Sequence, residues 1–183
     1  MKKPKKEEKP LSGAQDAYEW LQILIVALVT IILVFTFVGR ITPVVGESML
    51  PTLHEGDVML IRDIGYTDPQ PGDIVVLTKE FDAARGPIVK RIIAVEGQTV
   101  DIDYQTGTVY VDGEPYLNEP MEEPWYEDLT SVTVPEGSVF VMGDNRNHSN
   151  DSRDVTLGTV DTRYLLGKAE FICFPFSDFG RIG

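Results

Sequence analysis

Cysteine is almost missing from this chain of 183 residues: Cys173 stands alone, so no disulfide can form within the molecule. Between Ile172 and Phe174 it reads as a small buried apolar side chain. No histidine or basic cluster lies beside it to activate it as a nucleophile. Histidine is nearly as scarce. His54 lies in the turn-like stretch from Thr52 to Asp57, and His148 in the polar run Asn147-His148-Ser149-Asn150, so both are expected on exposed loops. Two histidines without cysteine partners do not make a zinc site, and no metal or other cofactor is expected. Beyond Arg40 lysine is rare too, with only Lys79, Lys90 and Lys168. Residues 41–183 carry 10 basic and 25 acidic side chains, a net of −15. A body that acidic, without a basic stripe, excludes nucleic acid as the expected partner. The sequence also lacks internal repeats. Its apolar fraction of 43% excludes wholesale disorder, and its length suits one domain of ordinary size.

Positive charge gathers at the front. Lys2, Lys3, Lys5, Lys6 and Lys9 stand against Glu7, Glu8, Asp16 and Glu19, and residues 1–19, rich in Lys, Glu and Pro, read as a disordered cytoplasmic tail. From Leu21 to Val38 there is no charge at all, and the only polar side chains are Gln22, Thr30 and Thr36. At a rise of about 1.5 Å per residue this run covers roughly 27 Å, enough for a hydrocarbon core. Trp20 at one end and Arg40 at the other suit interfacial positions. A buried core helix would show a polar face, and a cleaved signal peptide would have a shorter apolar region followed by an A-x-A-like site. Neither feature is present. Residues 20–40 are therefore expected to form a retained single transmembrane anchor, with the lipid bilayer as a partner. Lysines before the span put the N-terminus in the cytoplasm and residues 41–183 outside.

After Arg40 helical periodicity gives way to short β-branched runs separated by turn signals. Such runs occupy 57–61, 74–77, 88–95, 99–102, 108–111, 138–142 and 165–172, and Asp112-Gly113 is a hairpin-type turn. The pattern predicts a mainly β extracytoplasmic domain, with antiparallel sheets in a partly closed, barrel-like arrangement. Segment 116–130, with Glu119, Glu122, Glu123, Glu127 and Asp128, reads as an exposed acidic loop.

A lysine acts as a general base only when burial keeps it neutral. Lys79 sits beside Glu80 and Asp82 and should stay charged; Lys168 follows a glycine and is the less obvious candidate. Lys90 differs. On a strand, Ile88, Lys90, Ile92 and Ala94 share one face, and an unpaired ammonium among aliphatic side chains is costly. Taken alone this is open between a functional base and an edge-strand lysine that snorkels to water. Ser48 is the companion feature, a serine in the apolar, turn-rich stretch from Val45 to Leu53, where Gly46 lets a ligand approach the backbone and Pro51 fixes a turn. Taken alone it too can be an ordinary turn residue.

Three blocks bring these residues into one frame: Gly46-Glu47-Ser48-Met49-Leu50-Pro51-Thr52-Leu53, Val89-Lys90-Arg91-Ile92-Ile93-Ala94, and the run from Gly143 to Arg153, which reads GDNRNHSNDSR. In this order after a membrane anchor, the chain resembles bacterial type I signal peptidases over the anchor and the whole external domain. Pro71-Gly72-Asp73-Ile74-Val75-Val76 matches a fourth, weaker block. One anchor and no large inserted domain resemble the compact enzymes common in Gram-positive bacteria. The resemblance implies a serine endopeptidase with Ser48 as nucleophile and Lys90 as base, which removes signal peptides from exported preproteins after small residues. It further implies that Ser149 orients the Lys90 amine, while Asp144, Asp151 and Arg153 form an ion-pair network beneath the dyad. One departure stands out. Some relatives carry a hydroxyl residue two positions before the nucleophile to help hold the oxyanion, and this chain has Gly46 there, leaving the Ser48 backbone N–H as the donor in sight. Val44, Met49, Leu53, Ile88 and Val89, apolar and beside the dyad in sequence, are the expected substrate-pocket residues, and the enzyme is expected to act as a monomer. Two other readings are weaker. A self-cleaving repressor-type Ser–Lys protease would need a DNA-binding helix-turn-helix where residues 1–40 supply an anchor, and a non-catalytic β module has no use for Lys90 on an apolar face.

Overall fold

A computed structural model of the chain describes residues 13–37, 39–81, 86–116 and 129–182. They fall into two units, divided between positions 38 and 39. The first is helix α1, Gly13–Phe37. It starts before the uncharged run, since Ala, Gln, Glu and Leu around Trp20 are good helix formers. Within it, Gln15–Leu33 is long and apolar enough to cross a bilayer. Leu24, Val26 and Leu28 are exposed, as suits a helix surrounded by lipid rather than by protein. Thr30 turns its hydroxyl back onto the Val26 carbonyl at 2.8 Å, so this polar group is satisfied inside the helix.

The second unit is β-rich. Its strands are β1 (Arg40–Pro43), β2 (Val58–Arg62), β3 (Ile74–Leu77), β4 (Ile88–Val95), β5 (Thr99–Asp103), β6 (Thr108–Val111), β7 (Glu114–Pro115), β8 (Ser131–Thr133), β9 (Ser138–Met142), β10 (Val160–Asp161), β11 (Leu165–Phe174) and β12 (Gly180–Arg181). Every strand pair is antiparallel. The large sheet runs β1-β2-β11-β3-β4-β9-β10, with β12 on β11, and the small one runs β7-β6-β5-β8. The fold is thus mainly β as expected, and the large sheet curls as a half-barrel. Its register slips within β11 and within β4, where extra residues bend the strands. The Asp112-Gly113 turn joins β6 to β7 with φ of +52° and +81°, the left-handed pair that a two-residue hairpin requires. The expected acidic loop lies mostly outside the described residues, as do the first 12 residues of the expected tail.

Three apolar clusters fill this unit, built around Leu53 and Ile61, around Ile93 and Phe140, and around Leu77 and Val141. Strand β4 runs between them. The expected apolar face of Ile88, Lys90, Ile92 and Ala94 is interrupted, because the register shifts between Ile92 and Ala94. Ile88 and Ile92 pack into one cluster, whereas Ala94 joins Ile93 in another. Cys173, expected to be buried, is half-buried, since it lies beside Phe174 on the outer part of β11.

Candidate active site

The chemistry converges at the end of β4, where Lys90 meets the turn that follows β1. Lys90 is only 3% exposed. Strand β4 pairs with β3 at Lys90 and with β9 from Arg91 onward, and the side chain stays inside rather than reaching water. The edge-strand reading of Lys90 is thereby removed. Its Nζ lies 2.7 Å from Ser48 Oγ and also donates to the Val89 carbonyl at 3.0 Å. The other two lysines of this unit have different work. Lys168 is ion-paired with Asp73 at 2.5 Å, and Lys79 donates to the carbonyls of Leu157 and Thr159. Among the three, Lys90 is the buried one, and its hydrogen bonds reach no carboxylate. Burial lowers its pKa to about 8, opposed by the field of Asp151 and supported by that of Arg153, with Asp144 a further raising influence. A sizeable fraction is therefore neutral near physiological pH.

Ser48 sits in the turn from Glu47 to Leu50, closed by the Leu50 N–H on the Glu47 carbonyl at 3.2 Å. Met49 and Leu53, almost fully buried, pin the segment into the core below. The run from Gly143 to Arg153 supports it from the other side. The Asn145 N–H donates to the Ser48 carbonyl at 3.0 Å. At Gly143 the backbones come so close that any side chain would collide with the Ser48 carbonyl and the Ser149 hydroxyl.

Beneath the dyad stand two ion pairs. Arg153 grips Asp151 with Nε on Oδ1 at 2.7 Å and Nη2 on Oδ2 at 2.9 Å, both residues being essentially inaccessible. Gly143 N–H and Ser149 Oγ also donate to Asp151 Oδ2, at 3.0 and 2.7 Å. Ser149 thus spends its proton on Asp151, and its hydroxyl makes no bond to the Lys90 amine. Burial pushes the Asp151 carboxyl pKa up, but the Arg153 charge and these hydrogen bonds outweigh it and hold it below the ordinary range. The second pair is a fork of Arg91 on Asp144, with both contacts at 2.7 Å. Thr52 Oγ1 completes it, donating to Asp144 Oδ2 at 2.6 Å. Neither Arg91 nor Thr52 was singled out from sequence. Arg91 carries a signal, because the residue after Lys90 must point to the opposite face of β4 and needs an anion there. Thr52 carries none, its partner being 92 positions away.

A cavity of about 80 Å³ opens beside the dyad, lined by Val44, Met49, Ile88 and Val89 together with Thr42, Val45, Val76 and Pro87. Four of the five expected pocket residues are there. Leu53 is not: fully buried, it packs in the core behind Met49. Larger cavities of about 480 and 370 Å³ lie elsewhere, lined by Asp68, Glu96 and Ser138 and by Asp73, Lys168 and Arg181. Neither places a hydroxyl on a lysine or histidine. His54 and His148 are exposed, and neither is hydrogen-bonded to Ser48.

Replacing Asp151 by Ala leaves the Arg153 guanidinium buried without its carboxylate. Unfolding stability of the full chain in detergent is expected to fall by about 3–5 kcal/mol, read by thermal or denaturant unfolding. Because the folded-state pKa of Asp151 is depressed, its contribution is present above about pH 4 and is lost as pH falls through the folded value. The gap between parent and variant should therefore narrow on acidification.

The profile described as "Signal peptidase, peptidase S26" matches residues 17–174. Among curated proteins, the probable signal peptidase I-1 of Synechocystis sp. is 40% identical over 174 residues, covering 90% of this chain and 86% of that one. The signal peptidase I of Bacillus licheniformis is 36% identical, with 94% and 96% covered. Among solved structures, a crystal structure of a signal peptidase I from Enterococcus faecalis matches with 30% identity and a TM-score of 0.44, covering 56% of this chain and 97% of that one. With a family match over most of its length and relatives of this similarity along nearly all of both chains, the chain belongs to the signal peptidase family, peptidase S26.

Proposed function

We propose that this chain is a membrane-anchored serine endopeptidase that removes signal peptides from exported preproteins, with Ser48 as nucleophile and Lys90 as general base. The observation that carries the reading is the 2.7 Å contact between Ser48 Oγ and a lysine that is 97% buried and bonded to no carboxylate. With the amine neutral, the contact reverses: the Ser48 hydroxyl donates to Nζ. Ser48 Oγ attacks the scissile carbonyl carbon as its proton passes to Lys90. The carbonyl oxygen becomes an oxyanion, stabilised by the Ser48 N–H. The ammonium then gives its proton to the leaving amine, the peptide C–N bond breaks and an ester to Ser48 remains. Lys90, neutral again, takes a proton from a water that attacks the ester, which releases the acid and restores the serine. One chain supplies both members of the dyad, so a monomer suffices. Residues 1–19 are assigned to the cytoplasm, 20–40 to the membrane and 41–183 to the outer side.

Lys90→Ala should abolish cleavage of a preprotein substrate with the thermal midpoint retained, because the nucleophile loses its proton acceptor. Lys90→Arg should be equally inactive, since a guanidinium does not deprotonate in proteins. In the parent, kcat/KM should rise with pH through a midpoint near 8, as the lysine loses its proton. A flat profile from pH 6 to 9, or activity in either variant, would sink the dyad.

The small aliphatic cavity supports cleavage after short side chains. Its volume of about 80 Å³ corresponds to only a few water-sized groups, at roughly 30 Å³ each, and nothing on its lining pairs with a charge except the Lys90 amine itself. Forcing extra atoms into such a site costs about 1–3 kcal/mol, and an unpaired charge costs more. In preproteins varied at the first and third positions before the cut, Ala should be best, Gly and Ser should be tolerated, and Lys, Glu and Phe should block processing. Equal cleavage after Phe and Ala would refute the assignment of this cavity.

Orientation has its own test. Lysines before the span and the acidic body after it favour an inside N-terminus. Protease added to wall-free cells should digest residues 41–183 and spare the tail; a protected body would overturn the topology.

A further inference from the structure

The peptide bond that joins Glu47 to Ser48 is held through its oxygen. That carbonyl accepts from the Leu50 N–H at 3.2 Å and from Asn145 Nδ2 at 3.1 Å. The bond is trans, the cis peptides lying at Leu50–Pro51 and Phe174–Pro175, so its oxygen and its N–H point to opposite sides. With the oxygen drawn toward Leu50 and Asn145, the Ser48 N–H is turned the other way, and it meets no acceptor among the described residues. Two residues before the nucleophile the chain is loosely packed. Gly46 has φ +86°, and no atom lies within 4 Å of where a side chain would begin. Gly46 also brings no hydroxyl that could stabilise a negative oxygen if the peptide turned.

We propose that Asn145 is a positioning residue that locks the Glu47–Ser48 peptide, so that the Ser48 N–H faces the oxyanion formed when Ser48 attacks. The proposal rests on Ser48 being the nucleophile. A rotation of this peptide by half a turn would withdraw the donor and present the Glu47 carbonyl oxygen to the developing negative charge, which repels it. The single Leu50 bond, at 3.2 Å, is a weak restraint by itself. Asn145 adds a second from its side chain, and its backbone N–H holds the adjoining Ser48 carbonyl at 3.0 Å. Two successive carbonyls are thus tied to one residue. The requirement is for a side-chain donor of this length, so Asp, of the same shape, would set a carboxylate oxygen against the Glu47 oxygen.

The experiment compares Asn145→Ala and Asn145→Asp in the full chain in detergent, with a signal-peptide substrate ending in Ala-x-Ala before the cut. Both variants keep the backbone N–H on the Ser48 carbonyl. Losing an oxyanion donor outright reduces kcat by about 10²–10³-fold, and loosening it should reduce kcat by about 10-fold in Asn145→Ala and more in Asn145→Asp, with KM changed less than about twofold. Affinity for a peptide aldehyde of the same sequence, whose oxygen must take the oxyanion's place in its adduct with Ser48, should fall by the same factor as kcat/KM. Affinity for the intact substrate, measured in the Ser48→Ala background, should not change. An unchanged kcat in both variants overturns the lock. So does a parallel loss of aldehyde and substrate binding with a lowered thermal midpoint, which marks a general loss of structure. Cleavage by Ser48→Ala alone would instead overturn the nucleophile assignment on which the proposal stands.

Discussion

Burial of the Lys90 amine without a carboxylate is the constraint on which the site depends. An ammonium in an apolar interior is strongly disfavoured, and an ordinary fold answers by pairing it, as Lys168 is paired with Asp73. Lys90 receives instead a hydroxyl and a backbone carbonyl. Both suit a neutral amine as well as an ammonium, so neither bonding partner restores the charge that burial disfavours. Pairing with β3 and almost complete burial keep the side chain from escaping this setting by snorkelling. The turn at Ser48 is then built to reach it: Met49 and Leu53 sink into the core, Asn145 holds the Ser48 carbonyl, and Gly143 lets the two backbones approach.

Much of this was legible in sequence because it follows from local rules. Alternation on a strand put Lys90 on an apolar face, uncharged length identified the helix, and left-handed turn chemistry identified the Asp112-Gly113 hairpin. What escaped depends on distance along the chain. Thr52 meets Asp144 across 92 positions and Asn145 meets Glu47 across 98, and no periodicity records such encounters. Leu53 resembles Met49 in sequence, yet one lies wholly in the core while the other also edges the cavity, a difference decided by how the turn packs. The slip within β4 is of the same kind. A bulge is set by how two strands bend together, so the strict alternation that identified Lys90 fails just past Ile92. Short strands such as β8 and β12 are too brief to show a period at all.

Two carboxylates close enough to influence Lys90 would ordinarily defeat the purpose of burying it. Asp151 and Asp144 each raise its pKa, as any nearby anion must. Each, however, is held by an arginine of its own through a paired set of short contacts, Arg153 on Asp151 and Arg91 on Asp144. An ion pair seen from a few ångströms away acts as a dipole rather than as a net charge, and its field falls off faster with distance than that of a lone ion. Arg153 accordingly lowers the Lys90 pKa where Asp151 raises it, and burial remains the largest influence. Arginine suits this duty better than lysine, because its fork saturates both carboxylate oxygens and does not itself lose its proton. The pairs therefore act on both structure and electrostatics. Asp151 ties Gly143 and Ser149 into one support under the turn, while its arginine keeps that support from recharging the amine above it.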